Sequence, residues 1–509
     1  MSRKLRRQNA RLARQNDTDV EPSAEDFTLY RSAFQRGDFR EALKVLGKLG
    51  TRFPKSASVP HFAAECWVAI GNIPTALKCN EQALRFAPDN ARILCMQAHC
   101  LMQLDEGRGC REIMERVLAQ DPEFKPGLRL FARLLKSEGD QDGYLEILKR
   151  LWQSSPGDSG ICLDLSVADS AFFNEDDLEN IDKFLDSANA NVSVKAQYAF
   201  ASGNILLHRG QDEEAFAKYQ QANALVLETD RGYALHPAKA LDIWRRTGIS
   251  RAFFEERHEH GLDDRRLALV VGCSRSGKSL VESVLSLYPG AKAVGESART
   301  SRLMTDFMKA LEMTPNDYLN KRSAEASRRD AALYLETIGV ADYQLRIDTM
   351  PDNLPRLPLL SLWFPETPMI FCKRNVLDLG VSEYFKFYGI GNRHLFDLYE
   401  IGQYIRAYED LMEFFSSILP NPVIRVDYDE MVEDPREFAS SLYEALNLET
   451  DGVDFSRLEP GQSEREHFVH PISSLDAVTT IRKHARGIGA RFEHHLAPLI
   501  EGYNTPISS

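Results

Sequence analysis

The chain has 509 residues, 27% of them charged, and carries a net charge of -13 at pH 7. This length is typical of two or three globular domains, and the composition excludes a fibrous chain or one that is disordered throughout. So acidic a chain lacks the surplus of Lys and Arg that phosphate neutralisation requires, and we therefore expect no nucleic acid partner.

The N-terminal segment MSRKLRRQNARLARQ is basic, and we interpret residues 1–24 as a solvated, disordered tail. It contains no apolar core of the length that a signal peptide requires, and no later stretch approaches ~18 uninterrupted apolar residues. We therefore expect a cytoplasmic protein without a membrane span.

The chain has 8 Cys residues, and none of them forms a C-x-x-C pair. This pattern favours reduced thiols in protein cores over a disulfide framework or a zinc site. We expect Cys79 and Cys110 to be core residues.

A repeat of 34 residues runs through the first half of the chain, which is the period of tetratricopeptide repeats. In the regular units a Gly marks the turn after the first helix, a small residue allows the helices to cross closely, and a Pro ends the second helix. The third unit departs from this pattern at the turn, where it has Asp105. The third and fourth units are degenerate at the crossing. The positions are Gly37, Gly71, Asp105 and Gly139 at the turns, Ala42, Ala76, Cys110 and Tyr144 at the crossings, and Pro54, Pro88, Pro122 and Pro156 at the ends.

At least one further unit follows, because Gly210 and Ala215 repeat the spacing of turn and crossing. We therefore predict that residues 25–250 form a helical tetratricopeptide solenoid. The concave surface of such an array typically holds a protein or peptide. The alternative is that the array only packs against the next domain.

After the repeats the pattern changes to short apolar strands separated by helical stretches. Such alternation predicts an α/β doubly wound parallel sheet over residues 265–509, with ligands bound beyond the carboxyl ends of its strands. The predicted strands are LALVV, MIFCKR and PVIRVDY.

The stretch GCSRSGKS, Gly272 to Ser279, follows the first strand and fits the P-loop pattern G-x-x-x-x-G-K-[ST]. Main-chain N–H groups of such a turn, together with the N-terminus of the next helix, bind an anionic phosphate. The loop alone leaves the donor open. One alternative is a Mg-ATP-dependent kinase or NTPase, in which Asp427 at the end of VIRVD holds the Mg²⁺ ion.

The wider context resembles bacterial tetratricopeptide-repeat sulfotransferases and the related tyrosylprotein sulfotransferases. In that family a strand and a V-G-x-P-R-S-G-T-[TS]-L loop lead through a helix to a G-E step, and an Arg is followed eight residues later by Ser. The resemblance covers about residues 265–503 and appears in order along the chain. The segments that carry it are VVGCSRSGKSLVESVLSLYPGAKAVGES, DTMPDNLPRLPLLSLWFPETPMIFCKRNVLDLGVSEYFKFY, VIRVDYDEMVEDPREFASSLYEALNL and IRKHARGIGARFEHHLAPLIEGY.

The resemblance implies 3′-phosphoadenosine 5′-phosphosulfate (PAPS) as the sulfuryl donor, with no obligatory metal. Glu296 matches the carboxylate that takes the proton from the acceptor hydroxyl, and Arg491 falls where a basic residue closes over the donor. The residues implied around the 5′-phosphosulfate are Arg275, Ser276, Gly277, Lys278 and Ser279, those implied around the 3′-phosphate are Arg374, Ser382 and Lys386, and Tyr428 matches a donor-binding tyrosine.

The chain departs from the family pattern at several positions. Ser274 replaces a Pro, Lys278 replaces a Thr, and Thr349 stands where the family has a Lys thought to stabilise the transition state. We interpret Arg275 and Lys278 as catalytic cations. Lys278 either restores the charge that Thr349 lacks or marks a switched or lost activity. The family's transition-state Ser has no clear match, because Asp476 or Ala477 falls there and Ser474 is nearby.

Two histidine clusters, His258 to His260 and Glu493 to His495, suggest a metal site at first sight. Adjacent helical residues do not converge on one ion, so we interpret both clusters as solvated surface.

We therefore predict a sulfotransferase that acts on an acceptor hydroxyl of a protein, a glycan or a small molecule. The repeats would recruit or orient that acceptor or a partner protein. The second alternative, after the kinase, is a catalytically inert scaffold in which only the repeats act.

Overall fold

The computed structural model describes residues 21–104, 107–187, 191–229, 237–295, 314–338, 344–389, 391–458 and 486–507. The chain divides into two compact units, Met1–Ser154 and Ser155–Ser509. Residues 1–20 of the predicted tail lie outside the described residues. The carboxylate of Glu21, which we also assigned to the tail, accepts hydrogen bonds from Ser56 and the Ala57 N–H.

The first unit consists of helical pairs. Its helices are α1 Thr28–Gln35, α2 Phe39–Arg52, α3 Ser58–Ile70, α4 Ile73–Phe86, α5 Ala91–Gln103, α6 Gly107–Gln120, α7 Lys125–Glu138 and α8 Gln141–Ser154. Each even-numbered helix ends two residues before one of the four periodic Pro residues, because Pro cannot continue a helix beyond its first turn. The helix ends of the first unit therefore follow the predicted 34-residue period.

Glycine and small residues occupy the turns and crossings that the repeat requires. Gly71 and Gly139 have φ of 87° and 77° and end α3 and α7, a left-handed conformation that costs Gly little. Ala42, Ala76 and Cys110 are fully buried, as close helix packing demands. Asp105 lies outside the described residues.

The second unit begins with further helices of the same kind. They are α9 Ser159–Ala168, α10 Glu175–Leu185, α11 Val192–His208, α12 Asp212–Thr229, α13 Pro237–Arg246 and α14 Arg251–Glu255, with short 3-10 helices at Ser170–Phe172 and His258–His260. Gly210, with φ of 75°, precedes α12, and Ala215 is fully buried, which agrees with a further repeat. The segment between Asp158 and Ser193 contains α9 and α10.

A five-stranded parallel sheet forms the core of the remaining part of this unit, in the order β2-β3-β1-β4-β5. The strands are β1 Leu267–Val271, β2 Ala291–Gly295, β3 Leu345–Asp348, β4 Met369–Lys373 and β5 Val423–Asp427. From β1 the chain continues to β2 at one edge of the sheet and then to β3. It next crosses to β4, which lies on the other side of β1. The carboxyl ends of β1 and β4 therefore form the switch point at which ligands bind in such sheets.

The helices of this domain alternate with the strands, as parallel crossovers require. They are α15 Lys278–Leu285, α16 Pro315–Lys321, α17 Ala324–Thr337, α18 Leu357–Trp363, α19 Val376–Tyr384, α20 Leu398–Ile418, α21 Tyr428–Glu433, α22 Pro435–Ala445, α23 Ile488–Arg491 and α24 Ala497–Asn504, with 3-10 helices at Pro351–Arg356, Arg393–Leu395, Phe455–Leu458 and Glu493–His495. Apolar residues of α15 and α22 pack with the sheet in one core.

The three strands predicted from the sequence are β1, β4 and β5, and the fold class is confirmed. The sequence analysis did not find β2 or β3. All five residues of β1 are buried, so both faces of the central strand are covered. The LWFP segment is buried as well, since Trp363 and Phe364 are 1% and 0% exposed.

All eight Cys residues are free thiols in this structure. Cys110 is buried, whereas Cys79 is only partly so. Within the described ranges no helix has the length and apolar character needed to cross a membrane.

Candidate functional site

The loop from Gly272 to Ser279 joins β1 to α15 at the switch point of the sheet. Gly272 and Gly277 have φ of 155° and 101°, and Arg275 has φ of 60°. A Cβ atom on Gly277 would come within 2.7 Å of the Tyr428 ring, and one on Gly272 within 2.7 Å of the Cys372 carbonyl oxygen. Both positions therefore require glycine. The two glycines let the loop curl so that the N-terminus of α15 stays open to an anion.

Two of the predicted loop residues are turned toward the loop itself. Lys278 is 5% exposed, and its Nζ donates to the carbonyl oxygens of Gly272 and Cys273 at 3.1 and 2.8 Å. Ser276 donates its hydroxyl hydrogen to Cys273 at 2.8 Å. These bonds stabilise the turn, whereas Arg275 is exposed and Ser279 half-buried at the start of α15.

Arg374 follows β4 directly and lies beside this loop. Its Nη1 donates to the Arg275 carbonyl oxygen at 3.1 Å and to the Ser382 hydroxyl at 3.2 Å, and its guanidinium lies 4.5 Å from the centroid of the Tyr428 ring. The side chain is 7% exposed, and this burial lowers its pKa below the usual value. Four predicted donor-binding residues, Arg275, Arg374, Ser382 and Tyr428, thus meet at one place.

Local sequence explains how Arg374 and Ser382 come to face each other. Asn375 caps α19 by accepting from the N–H groups of Leu377 and Asp378 at 3.0 and 3.2 Å. Asn is a favoured N-cap residue, so the helix begins immediately after Arg374. The eight-residue spacing then returns Ser382 to the same side of the helix two turns later.

Lys386, the third residue predicted at the 3′-phosphate, is exposed just beyond the end of α19. Its ammonium group lies 4.7 Å from the centroid of the Tyr388 ring.

A buried polar network that the sequence analysis missed adjoins the loop. Glu383 is fully buried, and Tyr388 donates to its Oε2 atom. The Tyr388 hydroxyl is also 3.0 Å from the hydroxyl of Ser274, the residue that replaces the family Pro. Burial raises the pKa of Glu383, against an opposing influence of the Tyr388 hydrogen bond and of Arg275.

A second unforeseen contact involves Thr349, at the end of β3. Its hydroxyl donates to Glu282 Oε2 at 2.6 Å, and both side chains are buried. Lys278, which we interpreted as replacing the charge missing at Thr349, points instead to the loop carbonyls.

The C-terminal segment is anchored on α19 and α12. The carboxylate of Asp378 accepts the N–H groups of Gly487 and Gly489, each at 2.6 Å. Arg491, the residue expected to close over the donor, donates from Nε to Asp212 Oδ2 at 3.0 Å and forms an ion pair with that carboxylate. In this structure Arg491 therefore contacts the repeat helix α12.

Both histidine clusters contact carboxylates. His258 pairs with Glu366 at 3.2 Å. His494 and His495 belong to a three-residue 3-10 helix, and each directs its Nε2 atom to one oxygen of Glu213. The two rings of this pair therefore converge on one carboxylate, which a second element supplies.

Glu296, the predicted base, and the late-loop positions Ser474, Asp476 and Ala477 lie outside the described residues. Asp427, the carboxylate of the kinase alternative, accepts from the Asp429 N–H at 2.8 Å and caps α21. It lies at the end of the edge strand β5, with β4 between that strand and β1.

Comparison with known families gives two matches. A model described as the sulfotransferase family matches residues 268–452, and a tetratricopeptide repeat model matches residues 33–100. The chain is 22% identical over 373 residues to an uncharacterized protein of Aquifex aeolicus (strain VF5), which covers 69% of this chain and 47% of that relative. The chain thus spans about half the length of the curated relative it matches.

Solved structures resemble part of the chain. A repeat protein from Parabacteroides merdae is 18% identical with a TM-score of 0.30, covering 39% of this chain and 77% of that one. PilF of Pseudomonas aeruginosa is 15% identical with a TM-score of 0.33, covering 42% of this chain and 93% of that one.

Proposed function

We propose that this chain, whose residues 268–452 form a sulfotransferase-family domain preceded by tetratricopeptide repeats, transfers a sulfuryl group from PAPS to an acceptor hydroxyl. The observation that carries the proposal is the meeting of Arg374, Ser382 and Tyr428 beside the glycine-rich loop. A triphosphate needs only the loop, whereas a donor with a second phosphate on its ribose needs a further anion site next to it.

The chemistry of these residues fits such a donor. The half-buried ring of Tyr428 and the main-chain carbonyl of Arg275 fix the planar guanidinium of Arg374, so little side-chain freedom remains to be lost on binding. Arginine and a serine hydroxyl both donate to phosphate oxygens, and the arginine bond is charge-assisted. The N–H groups of the loop and of the first turn of α15 would hold the 5′-phosphosulfate.

In the proposed reaction the acceptor oxygen forms a bond to sulfur while the bond from sulfur to the bridging phosphate oxygen breaks. The acceptor proton passes to a general base, for which Glu296 remains our candidate, and the bond electrons leave with 3′-phosphoadenosine 5′-phosphate. Arg275 and Lys278 would stabilise the negative charge that spreads over the transferring group, as cations do in phosphoryl transfer. No metal ion is required by this scheme.

The tetratricopeptide helices support an acceptor that is a protein or peptide, because arrays of this kind hold such ligands on their concave face. A glycan or small-molecule hydroxyl would need no such array. We therefore propose that the repeats recruit the acceptor.

Titration of the purified chain with 3′-phosphoadenosine 5′-phosphate and with ATP, each with and without Mg²⁺, tests the donor. We expect the 3′-phosphorylated nucleotide to bind without metal and at least tenfold more tightly than ATP, a difference of about 1.4 kcal/mol. Tighter, Mg²⁺-dependent binding of ATP would establish the kinase alternative. Binding of neither nucleotide would establish the scaffold alternative.

A further inference from the structure

One group of metal-ligating side chains joins the repeat helix α12 to the C-terminal segment. Glu213 lies in the first turn of α12, and His494 and His495 lie in the 3-10 helix that precedes α24. The Nε2 atoms of the two imidazoles are 2.8 and 3.0 Å from the two oxygens of the Glu213 carboxylate. Among the described residues, this is the group of three such side chains whose ligand atoms lie within 4.8 Å of one another.

The two rings are held in place by packing. His495 stacks on Phe216 with 4.0 Å between ring centroids and 7° between planes, and Phe216 is itself buried in α12. The ring of His494 lies 4.1 Å from that of His495 at an angle of 42°. Both rings therefore present Nε2 in the same direction, one residue apart in the chain, without a helical face to align them.

We propose that Glu213, His494 and His495 bind one divalent transition-metal ion such as Zn²⁺, outside the loop from Gly272 to Ser279. Two imidazole nitrogens and one carboxylate oxygen are ligands that suit Zn²⁺, Ni²⁺ and Cu²⁺ far better than Mg²⁺ or Ca²⁺. Zinc–ligand bonds of about 2.0–2.1 Å place tetrahedral ligand atoms about 3.3 Å apart. The two contacts between the carboxylate and the rings therefore need to lengthen by a few tenths of an ångström, and all the ligand atoms already lie within 4.8 Å of one another.

The exposure of the group suits an ion that enters from solvent. The side chains of Glu213 and His494 are 64% and 59% exposed, and that of His495 is 25% exposed. Solvent access leaves room for a water molecule as a fourth ligand. The bound ion would tie α12 to the segment that carries Arg491, in addition to the ion pair of Arg491 with Asp212.

The test is a Zn²⁺ titration of the full chain without an affinity tag, after treatment with EDTA, in competition with a chromophoric chelator at pH 7.5. We expect one Zn²⁺ per chain. His494→Ala and Glu213→Gln should each weaken its affinity at least tenfold. The matched control is His258→Ala, at an exposed histidine that also pairs with a carboxylate, Glu366, and it should leave the affinity unchanged.

A second measurement uses Co²⁺, whose visible absorption reports the ligands and geometry directly. The wild-type chain should give a tetrahedral or five-coordinate Co²⁺ spectrum that His494→Ala abolishes. Since the His494 side chain is largely exposed, this variant should keep its far-ultraviolet circular dichroism. Absence of stoichiometric Zn²⁺ binding, equal affinity in His494→Ala, or loss of binding in His258→Ala would overturn the proposal. None of these outcomes depends on sulfuryl transfer.

Discussion

The hydroxyl of Thr349 donates to the carboxylate of Glu282 across 2.6 Å, in the interior of the α/β domain and next to the loop from Gly272 to Ser279. Thr349 follows β3, which pairs with β1, and Glu282 lies one helical turn after Lys278 on α15. A lysine at position 349, as in the related sulfotransferases, would therefore meet a carboxylate. The chain instead has its lysine at position 278, where Nζ is bonded to loop carbonyls.

We predict that Lys278→Thr slows sulfuryl transfer by roughly 10²-fold, because it removes a cation from the loop that we propose to bind the transferring group. Adding Thr349→Lys should recover part of the loss, since the new ammonium group is charge-compensated by Glu282. The measurements are the transfer rate at saturating PAPS and the affinity for 3′-phosphoadenosine 5′-phosphate.

Thr349→Ser is the control for this exchange, because it keeps the hydroxyl donor to Glu282 and should leave transfer unchanged. Full transfer by Lys278→Thr alone would show that main-chain groups make the phosphate cradle and that the lysine contributes no catalysis. If the double variant Lys278→Thr, Thr349→Lys is no faster than Lys278→Thr, position 349 takes no part in the reaction.

Arg374→Ala should remove most of the preference for the 3′-phosphorylated nucleotide over ATP. The variant deletes a charge-assisted hydrogen bond to a phosphate that ATP lacks, so the 3′-phosphorylated ligand should lose at least tenfold in affinity while ATP changes little. The check is the same pair of titrations. Arg425→Ala is the matched control, on the neighbouring strand with an exposed carboxylate partner, Glu413. An unchanged preference in Arg374→Ala would place the 3′-phosphate elsewhere.

The features that the sequence predicted correctly depend on local signals. Each periodic Pro ends a helix by its missing N–H group, and Gly71 and Gly139 end helices by adopting positive φ. The loop from Gly272 to Ser279 is likewise a local pattern of strand, turn and helix. Such features need no knowledge of distant residues.

The strand β3, which was not predicted, shows why the rest could not be predicted from the sequence. The strand β3, LRID, carries Arg346 and Asp348, yet both are fully buried. Arg346 is bonded to Asp264, 2.6 Å away, and Asp348 accepts from Tyr334 and the Met350 N–H. Buried charge is tolerated only with such partners. The positions of these partners follow from tertiary packing. The sequence of β3 alone therefore did not predict a core strand.

The candidate site likewise contains residues that were predicted and contacts that were not. The family resemblance implied Arg374, Ser382 and Tyr428 as donor-binding residues, and the three side chains meet in the structure. The contacts of Glu383 with Tyr388 and of Arg491 with Asp212 were not predicted, because each depends on how a separate segment packs.

Stability should depend on pH through Glu383. Burial raises the pKa of this carboxyl in the folded chain, so its contribution to stability is fully present below the unfolded pKa and is lost as pH rises through the folded value. Glu383→Gln keeps an oxygen that accepts from Tyr388 but removes the titration. Relative to this variant, the wild-type chain should lose about 1.4 kcal/mol of unfolding free energy for each unit by which the pKa is raised.

Urea unfolding of both proteins between pH 4.5 and 8 measures this difference. Glu413→Gln, at an exposed carboxylate, is the control and should follow the wild-type chain across the range. A constant difference between wild type and Glu383→Gln would mean that Glu383 is equally easy to ionise in the folded and unfolded chains.

Gly402→Ala should destabilise the second unit by about 1–3 kcal/mol, the usual cost of inserting a methyl group into a packed contact. A Cβ atom on Gly402 of α20 would collide with the Leu499 carbonyl oxygen and approach the Tyr503 nitrogen of α24 to 2.6 Å. Gly47→Ala, in α2, is the helical control with no atom within 4 Å of the added carbon, and it should be neutral or stabilising by up to ~1 kcal/mol. Thermal and urea unfolding measure the stability of both variants. An unchanged stability of Gly402→Ala would show that α20 and α24 separate easily.

The ion pair of Arg491 with Asp212 makes the role of Arg491 testable by a double-mutant cycle. If Arg491 closes over the donor, Asp212 competes with the nucleotide for the same guanidinium. Asp212→Asn should then tighten binding of 3′-phosphoadenosine 5′-phosphate a few-fold, whereas Arg491→Ala should weaken it about tenfold, the value of one charge-assisted contact. In the Arg491→Ala background, Asp212→Asn should have no effect. Titrations in EDTA keep the neighbouring histidine cluster free of metal, and an equal effect of Asp212→Asn in both backgrounds would show that Asp212 acts on the nucleotide without Arg491.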